Sequence, residues 1–94
     1  MSFRSTVDVI NSSEKSIVLH LEPWGEQFEM QSGERYTILG ESPAAGYFEI
    51  EHSNDGILVW LWVGAVAYVY SEGVELGASS ASRRLPVPEI PIGG

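Results

Sequence analysis

The 94-residue chain contains no cysteine and few basic residues. Without cysteine, a disulfide, a thiolate nucleophile, a Cys-ligated zinc site and a blue-copper site are all excluded. Five Lys and Arg residues against 13 Asp and Glu residues give a net charge of −8. An acidic surface repels phosphate, so nucleic acid and anionic membranes are poor partners, whereas a basic protein is electrostatically allowed. The alternative is that the charge only keeps a small protein soluble.

A long apolar run is also lacking. The longest apolar stretch, residues 57–70, is 14 residues long, and a transmembrane helix needs about 20. Its β-branched and aromatic residues, interrupted by Gly64, predict two buried strands instead. The first four residues do not resemble a signal peptide, so we expect a cytoplasmic protein without a membrane segment.

The residues that usually carry chemistry are scarce as well. His20 and His52 are the only histidines, and neither has a second ligand at metal spacing. Either could meet Glu22 or Glu51 across strands, although ordinary strand positions explain them more simply. No serine lies in a Gly-x-Ser-x-Gly elbow, and no Gly-rich phosphate loop exists. The sequence therefore predicts neither an enzyme, nor a metal site, nor a cofactor.

Most of the chain instead alternates apolar and polar residues with a period of two. Turn residues separate the alternating segments, among them Asn54-Asp55-Gly56, and no window shows a helical period. Hydrophobic residues make up 44% of the chain, enough for one core in a chain of this length. The pattern predicts an all-β, antiparallel sandwich, or a partly open barrel, of about seven or eight strands. The predicted strands are residues 6–10, 16–22, 26–31, 35–39, 47–52, 57–63, 66–70 and 74–76.

The composition changes at Gly77. We assign residues 1–77 to the β-sandwich domain and residues 78–94, rich in Pro, Ser and Gly, to a flexible tail. The alternative is that apolar residues of the tail dock on the sandwich or on a partner. These residues are Leu85, Val87, Ile90 and Ile92.

The aromatic residues provide the first candidate binding surface. By alternation Trp60 and Trp62 share one strand face, and Tyr68 and Tyr70 share a face of the next strand. If the two strands pair, the four rings form one patch that could stack on sugars or anchor a partner chain. The alternative is that these rings belong to the core.

The segment Leu21-Glu22-Pro23-Trp24-Gly25-Glu26 provides the second candidate binding surface. It resembles a Leu-Glu-Pro-Trp-Gly-Glu signature of small uncharacterised bacterial β-rich proteins, and this resemblance implies a small β-sandwich without an established activity. Pro23 and Gly25 predict a corner between strands. At this corner Trp24 either plugs the open end of the sandwich, which we expect, or stands exposed between Glu22 and Glu26 as a binding anchor.

The function expected from these features is non-catalytic binding of a protein partner, one of basic character. A carbohydrate-binding module that uses the surface aromatics is the alternative. A third hypothesis rests on the terminal Gly93-Gly94, which ubiquitin-like sulfur carriers share, but their fold needs a helix that this sequence does not predict. The segment Ile57–Val63 is apolar on both faces, so the tail, a second copy of the chain or a ligand must cover its outer face.

Overall fold

The computed structural model describes residues 2–76 and 86–87. In this part of the chain there are eight strands and no helix, as the alternation predicted. The strands are β1 (Phe3–Ile10), β2 (Ile17–Glu22), β3 (Glu26–Met30), β4 (Arg35–Ser42), β5 (Glu49–His52), β6 (Gly56–Trp60), β7 (Val66–Ser71) and β8 (Val74–Leu76).

The strands form two four-stranded sheets. The first sheet has the order β1-β4-β7-β8 and the second has the order β3-β2-β6-β5. The predicted all-β, two-sheet architecture is therefore confirmed, and the sheets do not join into a closed barrel.

One strand pair departs from the expected antiparallel arrangement. β2 and β6 pair in parallel, whereas the other five pairs are antiparallel. The second sheet is built from two hairpins, β2-β3 and β5-β6, which lie side by side with β2 and β6 in the middle. Alternation shows which face of a strand is buried but not which strand lies beside it, so the sequence did not reveal this parallel pair.

The core lies between the two sheets. Six large side chains are fully buried there, and they come from both sheets at alternate strand positions, as the period of two requires. They are Leu19, Leu21, Met30 and Val59 of the second sheet and Ile38 and Val69 of the first. The residues between them point outwards, so each sheet has an outer face on which a site can form.

Strand β6 ends at Trp60, three residues earlier than predicted. The Leu61 N–H bonds the Glu22 carbonyl oxygen at 3.1 Å, beyond the last β6 residue. Leu61 is buried, and Trp62 packs against the core instead of continuing the alternation. Trp60 and Trp62 therefore do not share a face of one strand, because β6 ends between them, although both side chains line the same groove at the end of the sandwich.

Trp62 fills a slot at one end of the sandwich. Its ring meets the Phe48 ring edge to face, with centroids 5.3 Å apart, and its Nε1–H donates to Ser42 Oγ at 2.8 Å. Gly40 and Gly46 border the slot: a Cβ atom on Gly40 would lie 2.5 Å from the Trp62 ring, and one on Gly46 would overlap it. Both positions therefore lack a side chain where the indole ring needs the space.

Asn11, just after β1, joins the turn that follows it to the end of β3 and to the turn between β3 and β4. Its side chain is 2% exposed and donates to the carbonyl oxygens of Lys15 at 2.8 Å and Met30 at 3.0 Å. Its Oδ1 accepts from the Ser13 N–H at 3.0 Å, and its backbone groups bond residues 33 and 34. The predicted turn after β1 is present, and this buried amide ties it to the β3–β4 turn.

The chain returns to the core at Val87. Val87 is 8% exposed, its N–H bonds the Ala65 carbonyl oxygen at 3.0 Å, and its carbonyl oxygen accepts from the Gly64 N–H at 2.8 Å. The prediction that residues 78–94 are flexible otherwise falls outside the described residues, as do Leu85, Ile90 and Ile92. At Val87 the alternative, docking on the sandwich, is what the structure shows.

Candidate functional site

The outer face of the second sheet is lined with carboxylates. Strand register places Glu22 of β2 and Glu49 of β5 on either side of Trp60 of β6. Glu51 lies on the same face of β5, and Glu29 lies on the same face of β3. We call these five residues the acidic face. No lysine or arginine belongs to the four strands of this sheet.

Trp60 stands at the centre of the acidic face. Its side chain is 36% exposed, although it lies on an inner strand of the sheet. Its Nε1–H donates to Glu51 Oε1 at 3.2 Å, and this bond fixes the indole beside the carboxylates. An exposed indole among carboxylates offers an aromatic surface and negative charge at one place, which suits a cationic group.

His20 lies next to the acidic face and contacts Asp55. Its Nε2 is 3.1 Å from Asp55 Oδ1, and the Ser53 Oγ–H donates to the same oxygen at 2.8 Å. The serine and the histidine thus both bond the aspartate and not each other, so they form no nucleophile–base pair. The carboxylate beside His20 is Asp55, not Glu22 or Glu51, because the β5–β6 turn places Asp55 next to β2.

The hydrogen bond from Ser53, followed by that from His20, lowers the pKa of the Asp55 carboxyl below its ordinary value. Because the folded-state pKa is depressed, the stabilising contribution of Asp55 is present above the ordinary carboxyl pKa and is lost as the pH falls through the lower value. We expect Ser53→Ala to raise the pKa of Asp55 back towards its ordinary value. Carboxyl-detected NMR titration measures it, and an unchanged Asp55 pKa would show that the serine bond does not form in solution.

The outer face of the first sheet differs in charge. Arg4 pairs with Glu41 at 2.7 Å, and Arg35 pairs with Asp8 at 3.0 Å, so most of its charges are balanced. Register also places Glu75 on this face. The two sheets therefore present one nearly balanced face and one acidic face.

The two tyrosines that were predicted to form one patch with Trp60 and Trp62 lie on the other sheet. Tyr68 and Tyr70 alternate with the buried residues Ala67 and Val69 of β7, so they lie on the outer face of the first sheet. Trp60 lies on the outer face of the second sheet. β6 and β7 follow each other in sequence but belong to different sheets, which is why the predicted pairing of their rings does not occur.

Trp24 packs against the core as a half-buried side chain, as expected for a plug at the end of the sandwich. Glu22 and Glu26 do not flank it as a single site. Register aligns Glu22 with Trp60 on the outer face, whereas Glu26 aligns with the buried Leu21. Of this predicted group only Glu22 belongs to the acidic face.

A groove borders the acidic face at the end of the sandwich. Its volume is about 530 Å³, and the side chains that line it include Trp60, Trp62, Glu49, Pro23, Tyr47 and Val87. Tyr47, which the sequence did not single out, is 78% exposed there. The groove gives the acidic face a concave, partly apolar margin.

The described residues contain no cluster of three or more His, Cys, Asp or Glu side chains that could hold a metal ion. They also contain no helix long and apolar enough to cross a membrane. Gly93 and Gly94 lie outside the part of the chain that the structure describes.

Comparisons with family models, with curated proteins and with solved structures found no match to this chain. The resemblance of Leu21–Glu26 to small bacterial β-rich proteins therefore stays a prediction.

Proposed function

We propose that the protein is a non-catalytic binding domain whose acidic face docks a basic segment of another protein. The observation that carries the proposal is the exposed indole of Trp60 between the carboxylates of Glu22 and Glu49. A lysine or arginine side chain can pack along this ring while its charge meets the carboxylates. Aromatic residues at the centre of a polar surface are typical anchors of protein interfaces.

The distribution of charge supports a basic partner. Among the described residues both arginines, Arg4 and Arg35, lie on the first sheet and are paired with acids there. The acidic face has no such compensation within its own strands. A basic segment of a partner would supply the missing positive charge, and its electrostatic attraction would be strongest at this face. A cytoplasmic location is part of the same proposal.

Titration with a lysine- and arginine-rich peptide, followed by amide NMR shifts, tests the proposal. We expect the shifts to concentrate on β2, β5 and β6, and the affinity to fall steeply with added salt. Trp60→Ala should weaken binding by about tenfold or more, as expected for an anchor residue. Glu49→Gln should weaken binding more than Glu75→Gln, a matched control on the outer face of the other sheet.

Equal effects of the two glutamate variants would contradict the proposal, because they would show attraction by net charge without a site. Shifts confined to the first sheet would also contradict it. A parallel titration with oligosaccharides tests the alternative that the protein binds carbohydrate. Binding of a sugar through Trp60, with no effect of salt, would favour the carbohydrate-binding alternative.

A further inference from the structure

Strand β1 is a long edge strand. It has eight residues, and within the described part of the chain its one neighbour is β4. Its register with β4 is continuous from Phe3 to Ile10, so it contains no bulge, and it has no proline and no lysine. A bulge, a proline and a lysine are features with which proteins often block an edge strand. Without them, the free backbone groups of β1 can pair with another strand.

Pairing of β1 with β1 of a second copy is restricted by geometry. Only every second residue of β1 directs its N–H and C=O groups away from β4. In an antiparallel pair of two β1 strands these residues must lie opposite each other, so the two-fold axis lies between one residue and the same residue of the second copy. The central candidates are Ser5, Thr6 and Val7. In all three registers, side chains on the inner face of one copy lie opposite side chains on the inner face of the other. The charges of the outer-face side chains therefore decide which register is favoured.

Only the register centred on Thr6 pairs opposite charges. It places Arg4 of each copy opposite Asp8 of the other, twice across the axis. Arg4 and Asp8 both lie on the outer face, and their side chains are 69% and 44% exposed. Because Arg4 already contacts Glu41 and Asp8 contacts Arg35, each side of the axis then carries four charges of alternating sign. On the inner face the half-exposed Phe3 would lie opposite Val9 of the second copy.

The other three edge strands lack this complementarity. Self-pairing of β5 about Ile50 places Glu49 opposite Glu51, and self-pairing of β8 about Glu75 places two glutamates opposite each other. Self-pairing of β3 about Phe28 places Gln27 opposite Glu29 and gains no ion pair. Like charges directly opposite each other destabilise a strand pair.

We propose that the protein forms a homodimer in which two β1 strands pair antiparallel about Thr6 and join the two first sheets into one eight-stranded sheet. This surface is separate from the acidic face. It also differs from the outer face of residues 57–63, for which the sequence suggested a second copy as one possible cover.

Charge reversal in two separate chains tests the register. In a dimer of Arg4→Glu chains, the glutamate at position 4 of each copy lies opposite Asp8 of the other copy. In a dimer of Asp8→Lys chains, the lysine at position 8 of each copy lies opposite Arg4 of the other copy. We expect each variant alone to raise the dimer dissociation constant about tenfold or more, because two favourable pairs become repulsive. An equimolar mixture of the two variants should form a heterodimer, since both pairs of positions 4 and 8 across the dimer axis are again of opposite charge. Each variant also places a like charge beside Glu41 or Arg35 of its own chain, equally in the single-variant and mixed samples. Analytical ultracentrifugation measures all three samples, with Glu75→Lys as the control that leaves β1 unchanged.

A single thiol tests the axis without altering charge. The natural chain has no cysteine, so Thr6→Cys introduces the only one. Directly opposite residues of an antiparallel pair have Cα atoms about 4.5–5.5 Å apart, within the range of a disulfide. We expect Thr6→Cys to form a covalent dimer on oxidation, and Thr37→Cys, on the same face of β4, not to do so.

A full chain that sediments as a monomer at millimolar concentration would overturn the proposal. A dimer that neither Arg4→Glu nor Asp8→Lys weakens would also overturn it, because another surface would then hold the copies together. Circular dichroism of each variant checks that it remains folded, and Thr6→Cys supplies an independent answer for a charge variant that does not.

Discussion

Replacing Trp62 with alanine should lower the free energy of unfolding by about 3–5 kcal/mol, the usual cost of removing a large aromatic ring from a packed position. The ring lies in the slot bordered by Gly40 and Gly46, and these glycines have no side chain with which to fill the space. Phe48 would lose its edge-to-face partner, and Ser42 Oγ would lose the Nε1–H donor. Urea denaturation followed by circular dichroism measures the loss.

Trp60→Ala is the matched control for this prediction. It removes the same kind of side chain two residues earlier, from the partly exposed acidic face, and should lower the free energy of unfolding by about 1–2 kcal/mol, clearly less than the loss for Trp62→Ala. If the two residues shared a face, as strict alternation suggests, the two variants would have similar effects. Equal losses of stability would therefore contradict the turn of the chain after Trp60.

Asn11→Ala should lower the free energy of unfolding by about 2–3 kcal/mol, since it removes the hydrogen bonds of a buried amide and leaves the buried Met30 carbonyl oxygen without that donor. The Met30 carbonyl oxygen loses the Asn11 donor, and the Ser13 N–H loses its acceptor. The Lys15 carbonyl oxygen loses one of two donors and keeps the Ser13 Oγ–H. Methyl groups cannot replace any of these bonds. Hydrogen exchange should show the loss locally, as faster exchange in the turns after β1 and β3.

Asn54→Ala is the control for Asn11, because Asn54 is an exposed residue in the turn between β5 and β6. It should change the free energy of unfolding by less than about 1 kcal/mol. An Asn11→Ala chain as stable as the Asn54→Ala chain would mean that water replaces the lost bonds and that Asn11 does not join the turns.

The strands were largely predictable from the sequence, because alternation and turn residues act within a few neighbouring positions. Asn54-Asp55-Gly56 predicts the β5–β6 hairpin, and the alternation of residues 17–22 predicts which side chains of β2 are buried. The parallel contact of β2 with β6 was not predictable. It depends on how two hairpins separated by many residues lie beside each other, and no local residue pattern encodes that.

The candidate site was predictable only in part, for the same reason. Trp60 and Glu22 were singled out, but for two different sites, and only the β2–β6 pairing brings them together. Glu49 and Glu51 come from β5, whose position beside β6 follows from the predicted hairpin, so these two were within reach of the sequence. The separation of Trp60 from Tyr68 and Tyr70 was not predictable from the sequence. Strands adjacent in sequence usually pair, but β6 and β7 belong to different sheets.

The acidic face lies on the sheet that does not join in the proposed dimer, and this position has a consequence for avidity. In the proposed dimer the two-fold axis runs perpendicular to the joined sheet, so the acidic faces of both copies point in the same direction. The dimer would then be bivalent, and a partner with two basic segments would bind its second site at a high effective concentration. A partner with one such segment would gain nothing from the second copy. The spacing of positive charge along a partner, more than its total charge, would decide how tightly it is held.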